Sequence, residues 1–393
     1  MSDSVVGGAE SIRRLSRRRA LGVMAASAVP LLGAMPTAAA SGGASEMLYI
    51  GTWGREQIYG AAFDPVGGKL TPTGVVAAVG SSWSVRHPTL PVLYVAGGGA
   101  GGTVGSYRID GVSGGLTRTS EVRTGGTGRA GVVSYLAVDE PSRTLLIANF
   151  AVGLVAAVPI GADGSLGSSL SIVQDTGSGP TLRQDGPHPH HLVVDPTGKH
   201  VLVADFGADR VFVYDFDRPT RTLSAGPDGP HYYAAAAGSG PRRLAFHPGG
   251  RTVYLMNELT ADIQILEWNS ATRALTHRGS VPTDVPAFTG VRSAAEMALS
   301  PDARYLYASN RAENALVVYE IDAATANLSA VQRISCGGTL PWSFSIHRGG
   351  NWMLVANQVS NTVDLFGIDR RSGRLTGTGR SIAVPVPDGI AFG

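Results

Sequence analysis

The stretch HLVVDPTGKHVLVADFGADRVFVYDFD, residues 191–217, decides the fold. It contains an apolar alternating run, a Pro-Thr-Gly turn, a second apolar run, a polar corner at Asp205 and a third alternating run. Period-two alternation broken by Gly and Asp turns is the pattern of antiparallel strands joined by hairpins. The same pattern recurs along the chain. WSVRHPTLPVLYVAGG starts at Trp83, YLAVDEPSRTLLIANF at Tyr135 and RLAFHPGGRTVYLMNE at Arg243. EMALSPDARYLYASNR starts at Glu296 and SFSIHRGGNWMLVANQ at Ser343. The corners Gly97, Asn149, Asp205, Asn257, Asn310 and Asn357 recur about every 50 residues, in the range of β-propeller blades.

Each unit continues into a third run such as ALVVYEID or TVDLFGID, then a turn and a GRLT- or GGLT-like opening of a fourth. Four short strands make one propeller blade. MLYIGTW at Met47 has no first strand before it, and PDGIAFG at the C-terminus has nothing after it. Joined, they complete a seventh blade and remove open sheet edges. The expectation is an all-β fold. Residues 47–393 form one seven-bladed β-propeller whose N- and C-terminal strands share a blade.

Composition agrees. Of 393 residues, 53 are glycine and only 16% are charged, while 43% are apolar. Gly-rich, charge-poor sequence with short apolar runs favours strands over helices. The single cysteine, Cys336, rules out an intramolecular disulfide and any zinc site built from several cysteines.

Residues 1–40 have the layout of a secretory signal. A basic block from Arg13 to Arg19 precedes a run of small apolar residues and then Ala38-Ala39-Ala40. SRRRAL at Ser16 is similar to the twin-arginine export motif, with Ala20 where a larger residue is usual. Residues 41–46 read as a linker. The apolar run is broken by Ser27 and Pro30 and is short for a membrane span, so no stable membrane insertion is expected after cleavage. The signal carries five arginines against Asp3 and Glu10, so the net charge of +2 belongs to it. The remainder is near neutral, which gives no footprint for nucleic acid. The expected location is extracytoplasmic, and the oligomeric state is open.

In a propeller, the loops leading into the inner strands and the corners after the second strands can open on one face. The loops supply His188, His190, Arg242, Glu296 and Trp342, and the corners supply Asp205, Glu258, Arg311 and Gln358. Two arginines, two acids and a histidine at equivalent positions exceed what generic strand ends require.

Three segments then carry a resemblance: GPHPHHLVVDPTGKHVLVADFGADRV at Gly186, GSGPRRLAFHPGGRTVYLMNEL at Gly238 and AAEMALSPDARYLYASNR at Ala294. Over residues 47–393 the chain resembles the β-propeller 6-phosphogluconolactonase family, which also includes carboxy-muconate lactonising cycloisomerases. The resemblance implies a seven-bladed propeller without an obligatory metal, acting on a small lactone or carboxylate. It implies His190, Arg242, Glu258 and Arg311 as catalytic groups, with His188 and Glu296 close by. The chain departs from the family at Trp342, where arginine is common. That loss of a cation, together with export, argues for an unphosphorylated lactone.

The roles follow from the chemistry. Imidazole titrates near neutrality, so His190 suits a general base that activates water, or else a loop histidine bonded to backbone. Arg242 and Arg311 suit a substrate carboxylate or an oxyanion, or inter-blade ion pairs with Glu258 or Glu296. Glu258 is an acid/base partner or an orienter of arginine. Trp342 suits a ring-stacking wall, and His188, Glu296 and Gln358 complete the substrate-binding set. No cofactor is expected. The alternative is a divalent cation in the channel, with His188, His190 and Asp205 as one ligand set. GGGAGG at Gly97 reads as a flexible corner. A lactonising isomerase and a non-catalytic binding propeller remain the competing functions.

Overall fold

The computed structural model describes residues 45–393 except 82, 101, 126–129, 169–170 and 228. The expected signal at 1–40 and all but the end of the expected linker at 41–46 lie outside the described residues. The linker's last residue belongs to the fold, because the first strand is Glu46–Thr52 and Glu46 pairs with Phe63.

Seven antiparallel sheets stand around one axis. Their inner strands, from blade 1 to blade 7, are Pro387–Phe392, Trp83–Arg86, Ala130–Asp139, Pro189–Val194, Pro241–Phe246, Ala294–Leu299 and Pro341–Ile346. Blade 1 is the shared one. Its inner strand is C-terminal and pairs with Glu46–Thr52 in the register Leu48↔Phe392, Tyr49↔Ala391 and Ile50↔Ile390. Leu48, Ile50, Phe63 and Ile390 then pack against Leu354, Val363 and Leu365 of blade 7. Each such side chain contributes about 1.5–3 kcal/mol when fully buried, so ring closure rests on apolar burial as well as on the ladder. The single helical segment among the described residues is the 3₁₀ turn Glu140–Ser142.

Two blades depart from four plain strands. In blade 4, Thr222–Ser224 and His231–Ala234 both pair with Arg210–Asp217. In blade 3, Gly98–Ala100 adds a short strand against Ala130–Val132 of the inner strand. The glycine-rich corner after Gly97 is therefore not the free loop expected from its composition. Glycine lets its backbone come close enough to pair.

One irregularity positions the site. Near its start, the inner strand of every blade but the second carries a register shift against its neighbour. Pro189 faces Asp205 and His191 faces Ala204, which leaves His190 outside the ladder. Arg242 and Trp342 are left out in the same way. In blade 6, Ala295 and Glu296 both lie opposite Ser309. A β-bulge re-aims the side chain it carries and often sits beside an active site.

Candidate active site

Two sets of residues build the site. The first is the bulge set: His190, Arg242 and Trp342. The second is the residue after a corner, Phe150, Phe206, Glu258, Arg311 and Gln358, together with Trp53, which follows Thr52 at the end of the equivalent strand of blade 1. The corner residues themselves hold the turns. Asn357 Nδ2 donates to Cys336 O at 2.8 Å, and Asn310 Nδ2 donates to Asp284 Oδ1 at 2.7 Å. Asp205 is such a corner. Its Oδ1 accepts from His188 N at 2.8 Å and from Ala208 N at 2.7 Å, so its carboxylate is turned to the backbone rather than to a ligand. Gly207 follows it because a Cβ there would stand 1.9 Å from Gly186 O.

Glu258 is the hub. Its Oε2 accepts from Arg242 Nε at 2.8 Å. Its Oε1 accepts from Arg183 at 2.6 Å and meets Arg311 at 2.7 Å. Burial alone would raise the Glu258 carboxyl, but Arg183, Arg311 and Arg242 outweigh it and hold the carboxyl well below the ordinary glutamate range. Glu258 therefore stays ionised with both oxygens engaged. It orients arginines and is not poised to exchange protons. Arg242 is pushed down to about 9, by burial first and then by the charge of Arg311. Burial also lowers Arg311. Arg311 is further fixed by Ser293 Oγ at 3.1 Å, and its guanidinium lies 4.6 Å from the centre of the Trp342 ring.

His190 stands beside this cluster. Its imidazole is held well below 6.5 by burial, and next by the charges of Arg242 and Arg243, so the ring is neutral at neutral pH. Phe150 meets it edge-on, with ring centres 5.7 Å apart. His190 Nδ1 has no hydrogen-bond partner among the described residues, and the same is true of Trp342 Nε1 and Gln358 Nε2. Buried polar atoms without partners are rare in folded proteins, and several at one mouth mark a place for a ligand.

The remaining expected residues take other positions. His188 stacks on Phe150 at 4.5 Å; its Nδ1 lies 2.8 Å from Phe150 O and its Nε2 3.1 Å from Asp185 Oδ1. Both of its nitrogens are engaged, so the set His188, His190 and Asp205 does not converge as metal ligands. Among the described residues, no three His, Cys, Asp or Glu side chains are grouped so as to hold a metal ion. Glu296 lies one position deeper than the bulge set and receives Arg243 at 2.9 Å, not Arg242. Burial raises its carboxyl despite that cation. The Arg243 guanidinium also covers the rings of Trp83 and Tyr135, each at 5.4 Å, and Tyr135 packs on His191 at 3.9 Å. These residues form a second cluster of paired charge and rings beside the Glu258 cluster. The bulge set and the residues after the corners together make up the candidate cup.

Sequence reasoning missed Arg183. It sits in the loop between blades 3 and 4, is half exposed, and lies 4.7 Å over the Phe206 ring on its way to Glu258. It partly restores the cation missing at Trp342. Trp53, Phe150 and Phe206 were also missed. Reading one residue past the corners would have found Phe150 and Phe206; Trp53 meets Trp342 edge-on at 4.7 Å. Cys336 is buried, its thiol raised by that burial, and it has no part in the cup.

Residues 47–392 match the model of the family described as lactonase, 7-bladed beta-propeller. The 6-phosphogluconolactonase of Bacillus subtilis is 30% identical over 353 residues, covering 88% of this chain and 97% of that protein. The structure of the periplasmic gluconolactonase of Pseudomonas aeruginosa is 31% identical with a TM-score of 0.81, covering 89% of this chain and 99% of that one. The structure of a protein from Lactobacillus plantarum is 30% identical with a TM-score of 0.81, over 88% of this chain and 99% of that one. A closed seven-bladed ring, a cup lined by histidine and arginine, and a family match across the whole ring agree: the chain belongs to the seven-bladed β-propeller lactonases and is a lactone hydrolase.

Proposed function

We propose that the protein is an exported lactonase that opens a small, unphosphorylated sugar lactone. In this reading His190 takes a proton from water, and the water oxygen attacks the lactone carbonyl. Arg242 and Arg311 hold the oxyanion that forms. When the ring C–O bond breaks, protonated His190 returns the proton to the departing alkoxide, so the products are a hydroxyl and a carboxylic acid, which releases its own proton to solvent and leaves as the carboxylate. Three arginines on one glutamate leave surplus positive charge at the cup, which suits that carboxylate. Trp342 and Trp53 offer apolar faces to a sugar ring. The carrying observation is the arginine cluster fixed on Glu258 beside a neutral His190 whose Nδ1 has no partner among the described residues. No metal takes part in this scheme.

The twin-arginine-like segment at Ser16 supports export, and a periplasmic relative of similar fold fits it. Phosphorylated sugar lactones belong to the cytosol, and Trp342 stands where a further cation would serve a phosphate. The test is hydrolysis of glucono-δ-lactone and its 6-phosphate by the protein lacking residues 1–40, with and without chelator. Faster opening of the unphosphorylated lactone, unchanged by chelator and lost in His190→Ala, is the expected result. A strong preference for the phosphate, or loss of rate with chelator, overturns it.

A further inference from the structure

The loop between blades 3 and 4 carries Arg183 to Glu258 and leads directly into His190. Its two ends are held by a pair of acids. Asp175 opens the loop, and its backbone N–H is fixed on Gly153 O at 2.9 Å. Asp205 holds the other end through His188 N at 2.8 Å. Both acids are buried, at 1% and 0% exposure, and the fold brings them together: Gly153, whose O holds Asp175 N, abuts Pro187, and the next residue, His188, donates its N–H to Asp205. Tyr214 donates to Asp175 Oδ1, and backbone N–H groups serve Asp205 Oδ1. The Oδ2 of each acid finds no other donor among the described residues.

Two carboxylates brought together in the interior with an unpartnered oxygen each do not both stay ionised, and one hydrogen between them would satisfy both oxygens. We propose that Asp175 and Asp205 share a single proton that clasps the ends of this loop, making the pair a positioning device for Arg183 and His190. Losing the proton leaves two like charges facing each other in the interior, and the loop ends part. Burial and the neighbouring Asp205 charge raise the Asp175 carboxyl well above the ordinary range, which keeps the proton in place at neutral pH.

The surrounding groups agree with this. Tyr214 is a neutral donor on the third strand of blade 4, raised by burial and by Asp175 itself. His188, the nearest titratable neighbour on the loop side, turns its ring to Phe150 O and Asp185. Arg210, on the same strand as Tyr214, is satisfied by Thr176 O at 2.7 Å. Among the described residues, no lysine or arginine donates a hydrogen bond to either carboxyl.

Amide hydrogen exchange of the peptide spanning 175–190, corrected for the intrinsic pH dependence of exchange, tests the clasp without reference to any substrate. The wild-type loop should lose protection as pH rises through the alkaline range. Asp175→Asn, which supplies a permanent hydrogen to Asp205, should keep it. Infrared spectroscopy of the wild type should show a protonated carboxylic acid at neutral pH, absent from Asp175→Asn. A wild-type loop equally protected up to pH 10, or a wild-type spectrum without that band, overturns the proposal. The infrared measurement decides the matter even if the variant does not fold.

Discussion

Arg243 and Trp83 meet across the propeller axis: the guanidinium from blade 5 lies 5.4 Å from the centre of the blade 2 indole. Glu296 of blade 6 holds the same arginine at 2.9 Å. Arg243 is held by paired charge on one side and by aromatic rings on the other.

Removing only one member of this pair leaves a charge buried among rings. Arg243→Ala should cost about 3–5 kcal/mol in urea unfolding. The double variant Arg243→Leu with Glu296→Leu should recover most of that loss, because the uncompensated charge goes with its partner. Equal loss in the single and the double variant would show that packing, not charge, holds this cluster.

His190→Ala should lower kcat roughly 10²–10⁴-fold, the usual contribution of a positioned base, with little change in KM. The base works when unprotonated, and burial with Arg242 and Arg243 lowers its pKa. The acid limb of kcat/KM should therefore fall below the ordinary histidine range near 6.5, and activity should persist under pH 6. A limb at or above 6.5 would remove His190 from the role.

Stability should respond to acid through the same histidines. His190 and His191 both have folded-state pKa values well below 6.5. The unfolded chain then binds more protons than the native one as pH drops under 6.5. Their stabilisation is complete above that pH and is lost as pH falls toward the folded-state values. The urea midpoint should decline over this window, and His191→Phe should flatten the slope. That variant also orphans Leu244 N–H, which now donates to His191 Nδ1 at 3.3 Å, at a cost of about 1–3 kcal/mol.

Glu258 and Arg183 should separate by effect. Glu258→Gln leaves Arg242 and Arg311 buried without their anion and should lower stability by about 3–5 kcal/mol as well as activity. Arg183 is 45% exposed, so Arg183→Ala should change stability by under about 1 kcal/mol. Its effect should appear in KM. Steady-state kinetics beside thermal melts would distinguish the two.

Trp342→Ala removes the ring under Arg311. A contact of this kind contributes about 0.5–2 kcal/mol, so KM should rise roughly three- to thirtyfold with kcat nearly kept. Trp342→Phe should retain more of the affinity than alanine. A fall confined to kcat would argue against a binding wall.

The amino-acid sequence by itself determined the blades. Alternation, turn residues and the corner spacing are local signals, and the orphan runs at Met47 and the C-terminus announced a shared blade. It also marked His190, Arg242, Glu258 and Arg311, because equivalent positions in a closed ring converge. Tertiary structure alone decided how neighbours divide the work. Arg242 turns to Glu258 and adjacent Arg243 to Glu296, because a bulge shifts the phase of side chains by one residue. Arg183 reaches Glu258 from 75 residues away, and Asp175 meets Asp205 at the two ends of a loop. Contacts of this kind depend on the reach of a side chain across a completed ring, and no periodicity along the chain encodes that reach.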